Sequence, residues 1–211
     1  MSKIQEISTA IEFGKKKIIK GLVDEAIAEG CNPIDILNQG MIEAMSIVGE
    51  KFKANEIYVP EMLIAARAMK EGVEHLKPHL AGDQSAVLGK FIIGTVEGDL
   101  HDIGKNLVAM MIESAGYTVI DLGVDVSTEK FIEAIKANPD CHLVGLSALL
   151  TTTMPSLKKS VAAIIEAGLN KQVKIIVGGA PITQEFADSI GADAFAADAG
   201  SAASIAKAFS A

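Results

Sequence analysis

The sequence predicts two architectures in series: a four-helix bundle cap, then a flavodoxin-like doubly wound α/β domain with a five-stranded parallel sheet. Three observations carry this. Residues 1–77 place apolar side chains three and four positions apart throughout, the period of a helix. Residues 78–89 lose that period, and the stretch "KPHLAGDQSAVLG" gathers Pro, Gly, Asp and Ser into a linker. From Lys90 onward, short β-rich runs alternate with amphipathic stretches, as in a parallel sheet covered on both faces.

In the first part, "ISTAIEF" and "KKIIKGLVDEAIAEG" read as two short helices parted near Gly14. "CNPIDILNQGMIEAMSIVGEKF" gives the third. Asn32 suits its N-cap, Pro33 its first helical position, and Ile34, Leu37, Met41, Met45 and Val48 its apolar face. The fourth, "PEMLIAARAMKEGVEHL", has Pro60 in its first turn and an apolar face of Val59, Met62, Leu63, Ala66, Met69, Val73 and Leu76. Short connections between four helices imply an antiparallel bundle. His75 and His79 have a metal-ligand spacing, but Pro78 ends the helix between them, so they read as two solvated histidines.

In the second part the strands are "KFIIGTV", "YTVIDLG", "HLVGLSA", "VKIIVGG" and "ADAFAAD". Helices begin near Ile103, Thr128, Met154, Ile182 and Gly200. Five such strands over residues 90–211 suggest the order 2-1-3-4-5.

Composition narrows the function. Of 211 residues 49% are apolar, yet no run approaches the ~20 needed to span a bilayer. The N-terminus lacks the pattern of a secretory signal, so a cytoplasmic protein that avoids membranes is expected. The net charge of −8 argues against nucleic acid. Cys31 and Cys141 form no metal or redox motif and are expected to be buried packing residues.

In a doubly wound sheet, ligands bind beyond the carboxyl ends of the strands, where the strand order reverses. Three polar loops would meet there: "EGDLHDIGKN", "SALLTTTM" and "VGGAPIT". They hold no Gly-x-Gly-x-x-Gly and no phosphate-binding loop. Asp99 could accept a phosphoryl group, but nothing else supports that chemistry. One histidine and two aspartates fall short of a zinc set, and His101 with Ser147 lacks a nucleophile elbow. No catalytic residue is therefore assigned. A single histidine makes sense if a metal arrives in a macrocycle that supplies the equatorial donors. Asp99 could then accept the other ring N–H of His101, and Gly104 would allow a flat ligand close to the backbone. On the local sequence alone, an ordinary loop histidine is the commoner case.

The spacing resolves more. Asp99, His101 and Gly104, then Ser147 with Leu149, then Gly178 with Gly179, reproduce Asp-x-His-x-x-Gly, Ser-x-Leu and Gly-Gly in order and at matching separations. This resembles the cobalamin-binding domains. "YVPEMLIAARAMKEGVEHLKP" is similar to the last helix of the bundle that precedes such a domain in methyl-carrying corrinoid proteins. The resemblance extends over nearly the whole chain. It is nearest to the corrinoid proteins of anaerobic methyltransferase systems and to the equivalent segment of cobalamin-dependent methionine synthase.

The resemblance implies a cobalamin or related corrinoid cofactor, cycling between methylcobalamin and cob(I)alamin states. His101 becomes the lower axial ligand of cobalt in place of the cofactor's own base, and Asp99 its hydrogen-bond partner. Asp99 would also stabilise the imidazole when it is protonated. Asp102 and Ile103 lie within the motif. Thr153 stands where methionine synthase has a relay serine. Ser147, Leu149 and Thr151 would line a slot for the displaced nucleotide tail, ending near Gly178 and Gly179. Tyr58 matches an aromatic position of the cap that packs over the methyl group; pinning the bundle is an equal alternative. Met62, one turn on, is better suited to the core.

The implied role is to carry a methyl group on cobalt from a substrate-specific methyltransferase to a second methyltransferase serving tetrahydrofolate or coenzyme M. A reductive activase would service the cofactor. Such a chain is a subunit of an enzyme system rather than a complete enzyme. A cobalamin-dependent sensor is the alternative, although such proteins usually add a signalling module. An adenosylcobalamin mutase fragment is a third, although mutases do not usually carry this cap.

Overall fold

The computed structural model describes residues 2–80 and 88–210, and the chain forms two compact units, one helical and one α/β. The linker expected over residues 78–89 falls mainly on residues 81–87, outside the described residues.

The helical unit opens with α1 (Lys3–Glu12), whose first turn is closed by Ser2 accepting from the Gln5 N–H. Helix α2 (Lys16–Ala28) follows the turn at Gly14. The third helix starts as predicted: Pro33 follows Asn32, whose side chain accepts from the Ile34 N–H at 2.9 Å. It does not run as a plain α-helix. A single turn, α3 (Pro33–Asp35), widens into a π-helical segment, Ile36–Ile42, before α4 (Glu43–Lys53). The wider turn brings Ile36, Leu37, Gly40, Met41 and Ile42 into the core together, more of the segment than one α-helical face can bury.

Helix α5 (Val59–Leu76) completes the unit, with Pro60 in its first turn and Glu61 accepting from the Tyr58 N–H. Its buried stripe is Met62, Ala65, Ala66, Ala68, Met69, Gly72 and Leu76. The expected Val59, Leu63 and Val73 are only partly buried, because small residues turn inward instead. His75 is not a free solvated side chain: Nε2 lies 2.7 Å from Asp24 Oδ1 on α2. Cys141 is buried as expected, whereas Cys31 is partly exposed, since it sits in the turn after α2 rather than in the bundle.

The second unit holds β1 (Gly89–Thr95), α6 (Ile103–Ser114), β2 (Tyr117–Asp121), α7 (Thr128–Ala137) and β3 (Cys141–Ser147). It continues with α8 (Met154–Glu166), β4 (Lys174–Gly178), α9 (Gln184–Ile190), β5 (Ala194–Ala196) and α10 (Ala199–Ser210). All pairs are parallel and the order is β2-β1-β3-β4-β5, as predicted. Helix α9 starts two residues later than its sequence pattern suggested, and α10 one residue earlier.

One sheet face carries Ile92, Val144, Leu146, Ile175 and Val177. It packs with Phe131 and Ile135 of α7, Leu157, Val161 and Ile164 of α8, and Ala187 of α9. A buried Thr128–Ser160 hydroxyl pair at 2.9 Å joins α7 to α8. Alternation turns Phe91, Ile93 and Thr95 to the opposite face. There the crossover rule places α6, and α10 is tied to β2 by the Tyr117 hydroxyl donating to the Ala206 carbonyl at 2.8 Å.

The strand ends matter most for function. Thr95 pairs with Ser147, Ser147 with Gly178, and Gly178 with Ala196, so four neighbouring strands finish level. The loops that follow β1, β3 and β4 therefore leave one straight rim. β2 stops earlier, with Asp121 opposite Ile93, and its continuation rejoins β1 through the Val96–Val126 bridge.

Candidate functional site

Asp99 is the centre of this rim. It lies in the loop between β1 and α6, fully buried, and both carboxylate oxygens are used. Oδ1 faces His101 Nδ1 at 2.7 Å and accepts from the His101 N–H at 3.1 Å. Oδ2 accepts from the Leu149 N–H at 2.7 Å and from the Thr153 hydroxyl at 2.7 Å. Burial alone would push this carboxyl's pKa up. The donors from Leu149, Thr153 and His101 outweigh it and hold Asp99 well below the usual carboxylate range.

This arrangement decides the form of His101. An ionised Asp99 accepts from Nδ1–H, and in that tautomer Nε2 carries the ring's lone pair. The ring is half-exposed, which leaves that nitrogen accessible. Around it stand apolar side chains that a polar rim would not ordinarily display: Leu100 and Ile103 are 72% and 76% exposed, and Leu149 and Leu150 are 40% exposed.

The loop itself is held from three sides. The Thr95 hydroxyl donates to the His101 carbonyl at 2.9 Å. From the β2–α7 loop, the Asp125 N–H donates to the Asp99 carbonyl at 2.9 Å, and Asp125 Oδ1 accepts from the Gly98 N–H at 2.7 Å. Behind it, Lys105 is buried on α6 and donates to Asp121 Oδ2 at 2.6 Å and Asn106 Oδ1 at 2.7 Å. Asn106 in turn donates to Asp102 Oδ2 at 3.1 Å, fixing Asp102 on the first turn of the helix.

On the far strands, the Ala148 N–H donates to the Gly178 carbonyl at 3.1 Å. Gly179 has φ +127, and a Cβ there would lie 1.9 Å from the Ala148 carbonyl oxygen, so only glycine lets these two loops meet. A Cβ on Gly178 would lie 2.9 Å from the Ala196 carbonyl oxygen. Gly104 differs: a Cβ there meets nothing within 4 Å. The chain's own packing leaves that space open.

The rim thus brings together Asp99, His101, Leu149 and Thr153 by direct contact. It places Ser147, Gly178 and Gly179 along the same strand ends, with Thr151 exposed between β3 and α8. Tyr58 and Met62 belong to the helical unit: Tyr58 is 67% exposed at the N-cap of α5, so it does not pin the bundle, and Met62 is buried in its core. Thr95, Leu100, Asp125 and Lys105 went unnoticed in the sequence. Leu100 carried a signal, as an apolar residue inside a polar loop; the others act through pairings that spacing does not encode.

Among the described residues, no group of three or more His, Cys, Asp or Glu could hold a bare metal ion. One imidazole with a fixed tautomer, ringed by exposed apolar side chains and open space, fits a metal carried in a flat apolar macrocycle. The fold and the site together define a cobalamin-binding protein. Comparison with known proteins agrees: a family model described as "B12 binding domain" matches residues 89–207, and a second of the same description matches residues 3–77. The chain belongs to this family of B12-binding corrinoid proteins, and its cofactor is a cobalamin or related corrinoid.

It is 41% identical over 205 residues to dimethylamine corrinoid protein 1 of Methanosarcina acetivorans, covering 97% of this chain and 95% of that one. It is 42% identical over 207 residues to trimethylamine corrinoid protein 2 of Methanosarcina mazei, covering 97% and 94%. In structure it is similar to a chain of the methanol:cobalamin methyltransferase complex MtaBC from Methanosarcina barkeri, with TM-score 0.85, 30% identity, and coverage of 99% of this chain and 79% of that one. Among the described residues, no helix is long and apolar enough to cross a membrane.

Proposed function

We propose that this protein is the methyl-carrying corrinoid subunit of a methyltransferase system. It takes a methyl group from a substrate-specific methyltransferase and yields it to a second one serving tetrahydrofolate or coenzyme M, with a reductive activase as a third partner. The observation that carries this reading is the Asp99–His101 pair at 2.7 Å, with Nε2 left free on a half-exposed ring.

The corrinoid supplies a cobalt centre able to accept and release a methyl group. His101 Nε2 would hold the cobalt, with the ring kept oriented through Asp99. Both oxygens of Asp99 are anchored, so the carboxylate can hold the imidazole in either protonation state without moving. Were Nε2 protonated, Asp99 would stand beside the ring to offset its charge. The Leu149 N–H, the Thr153 hydroxyl and His101 together keep Asp99 ionised. Leu100, Ile103, Leu149 and Leu150 would lie against the macrocycle, and Gly104 would let it approach. Ser147, Thr151, Gly178 and Gly179 would border the displaced nucleotide tail.

The test uses uniformly ¹⁵N-labelled protein loaded with natural-abundance cob(II)alamin and read by electron paramagnetic resonance. An axial ¹⁵N from the protein splits the cobalt lines into doublets; the cofactor's own ¹⁴N base gives triplets. Doublets that vanish in His101→Ala are expected. Triplets in the wild type would overturn the ligand assignment. Methylation of the reduced, loaded protein by methyltransferases specific for methylamines or methanol, the donors named for the relatives, tests the carrier role. Failure with every such partner, alongside adenosyl exchange or a light response, would overturn it.

A further inference from the structure

We infer that Thr95 is a positioning residue for the cobalt ligand: it tethers the His101 backbone to the sheet, so that ligand binding and release are motions of the imidazole alone. This rests on the proposed ligand role of His101. The last residue of β1, Thr95 is fully buried, and its hydroxyl donates to the His101 carbonyl at 2.9 Å. Its own backbone is fixed on one side by the β2–α7 loop, donating to the Gly123 carbonyl at 3.0 Å and accepting from the Val126 N–H at 2.9 Å. On the other side it stands in register with Ser147. The donor therefore belongs to the most constrained part of the sheet.

The consequence is geometric. Asp99 controls the ring from Nδ1, but a ring can be held correctly on a backbone that drifts. His101 has two backbone anchors, its N–H on Asp99 and its carbonyl on Thr95. The first reaches the sheet through Asp99, which the Leu149 N–H and the Thr153 hydroxyl hold in turn; the second runs directly from the last residue of β1. A ligand displaced by an ångström loses most of its bonding, so a second anchor set directly on the sheet raises the share of time Nε2 is within reach.

The experiment compares wild type, Thr95→Val and Thr95→Ser, ¹⁵N-labelled and loaded with cob(II)alamin. Valine keeps the shape without the hydroxyl; serine restores it. The doublet-to-triplet ratio is expected to fall at least threefold in Thr95→Val and to return near wild type in Thr95→Ser. In the apo proteins, the ¹⁵N resonance of Asp102, bonded to the tethered carbonyl, should shift in the valine variant only. A Thr95→Val ratio equal to wild type overturns the tether while leaving the ligand role intact. Wild-type triplets remove the ligand role, and this inference with it. If the valine variant does not fold, hydroxyl-proton exchange of Thr95 in the wild type decides: slow exchange with an Overhauser contact to the Asp102 amide supports the tether, and exchange as fast as a free threonine refutes it.

Discussion

Thr153 Oγ1 lies 2.7 Å from Asp99 Oδ2 although the two residues are 54 positions apart. The threonine hydroxyl has one proton and also neighbours the Leu150 carbonyl at 2.9 Å. Charge decides where the proton goes, since an ionised acceptor forms the stronger bond. Replacing Thr153 by valine leaves a buried carboxylate oxygen with one donor fewer. A loss of about 1.5–3 kcal/mol at pH 7 is expected, with most of it recovered by serine. Chemical denaturation of the three apo proteins measures it.

Asp99 has a depressed folded pKa, so its contribution to stability is present above the unfolded value near 3.9 and disappears as pH falls through the folded value. Wild type should lose stability progressively below about pH 4–5, and Asp99→Asn should lack this part of the slope. The two denaturation profiles should converge towards acid. Parallel profiles down to pH 2 would contradict the assignment.

Two glycines should separate folding from cofactor binding. Gly179→Ala places a methyl group against the Ala148 carbonyl at positive φ and should cost at least 3 kcal/mol, or prevent folding. Gly104→Ala faces open space on a helix, so the apo melting temperature should hold or rise slightly. Its corrinoid affinity should nevertheless fall by tenfold or more. Thermal melts and cobalamin titration provide both numbers.

The buried Lys105 predicts an asymmetry. Asp121→Asn leaves the buried ammonium group facing neutral amide oxygens and no counter-charge, whereas Lys105→Met removes the charge itself. The asparagine variant should be the less stable by about 1–2 kcal/mol, kept modest because the Asp121 side chain is 40% exposed. Equal stabilities in urea would show that Lys105 is solvated rather than dependent on Asp121.

Much of this molecule was legible in the sequence. The strand order and the three polar loops followed from element alternation, Asp99 and His101 stood out in the loop motif, and Thr153 was implied by the resemblance to methionine synthase. The departures have physical causes. The π-helical segment at Ile36–Ile42 preserves the apolar pattern of an α-helix, so periodicity does not distinguish the two. On α5, inward-facing Ala65, Ala68 and Gly72 carry little hydrophobic signal, although they let the helices approach closely. Thr95, Asp125 and Lys105 bond to groups supplied by other strands and loops, and a linear pattern does not reveal which hydroxyl or carboxylate meets which carbonyl or amide. A site's outward chemistry is written in residue types; its scaffolding is written in three-dimensional proximity.

Among the described residues, no buried side-chain nitrogen or oxygen lacks a hydrogen-bond partner, Asp99 included. Every inward donor and acceptor is thus spoken for, and a substitution that deletes one member of such a pair strands the other away from water.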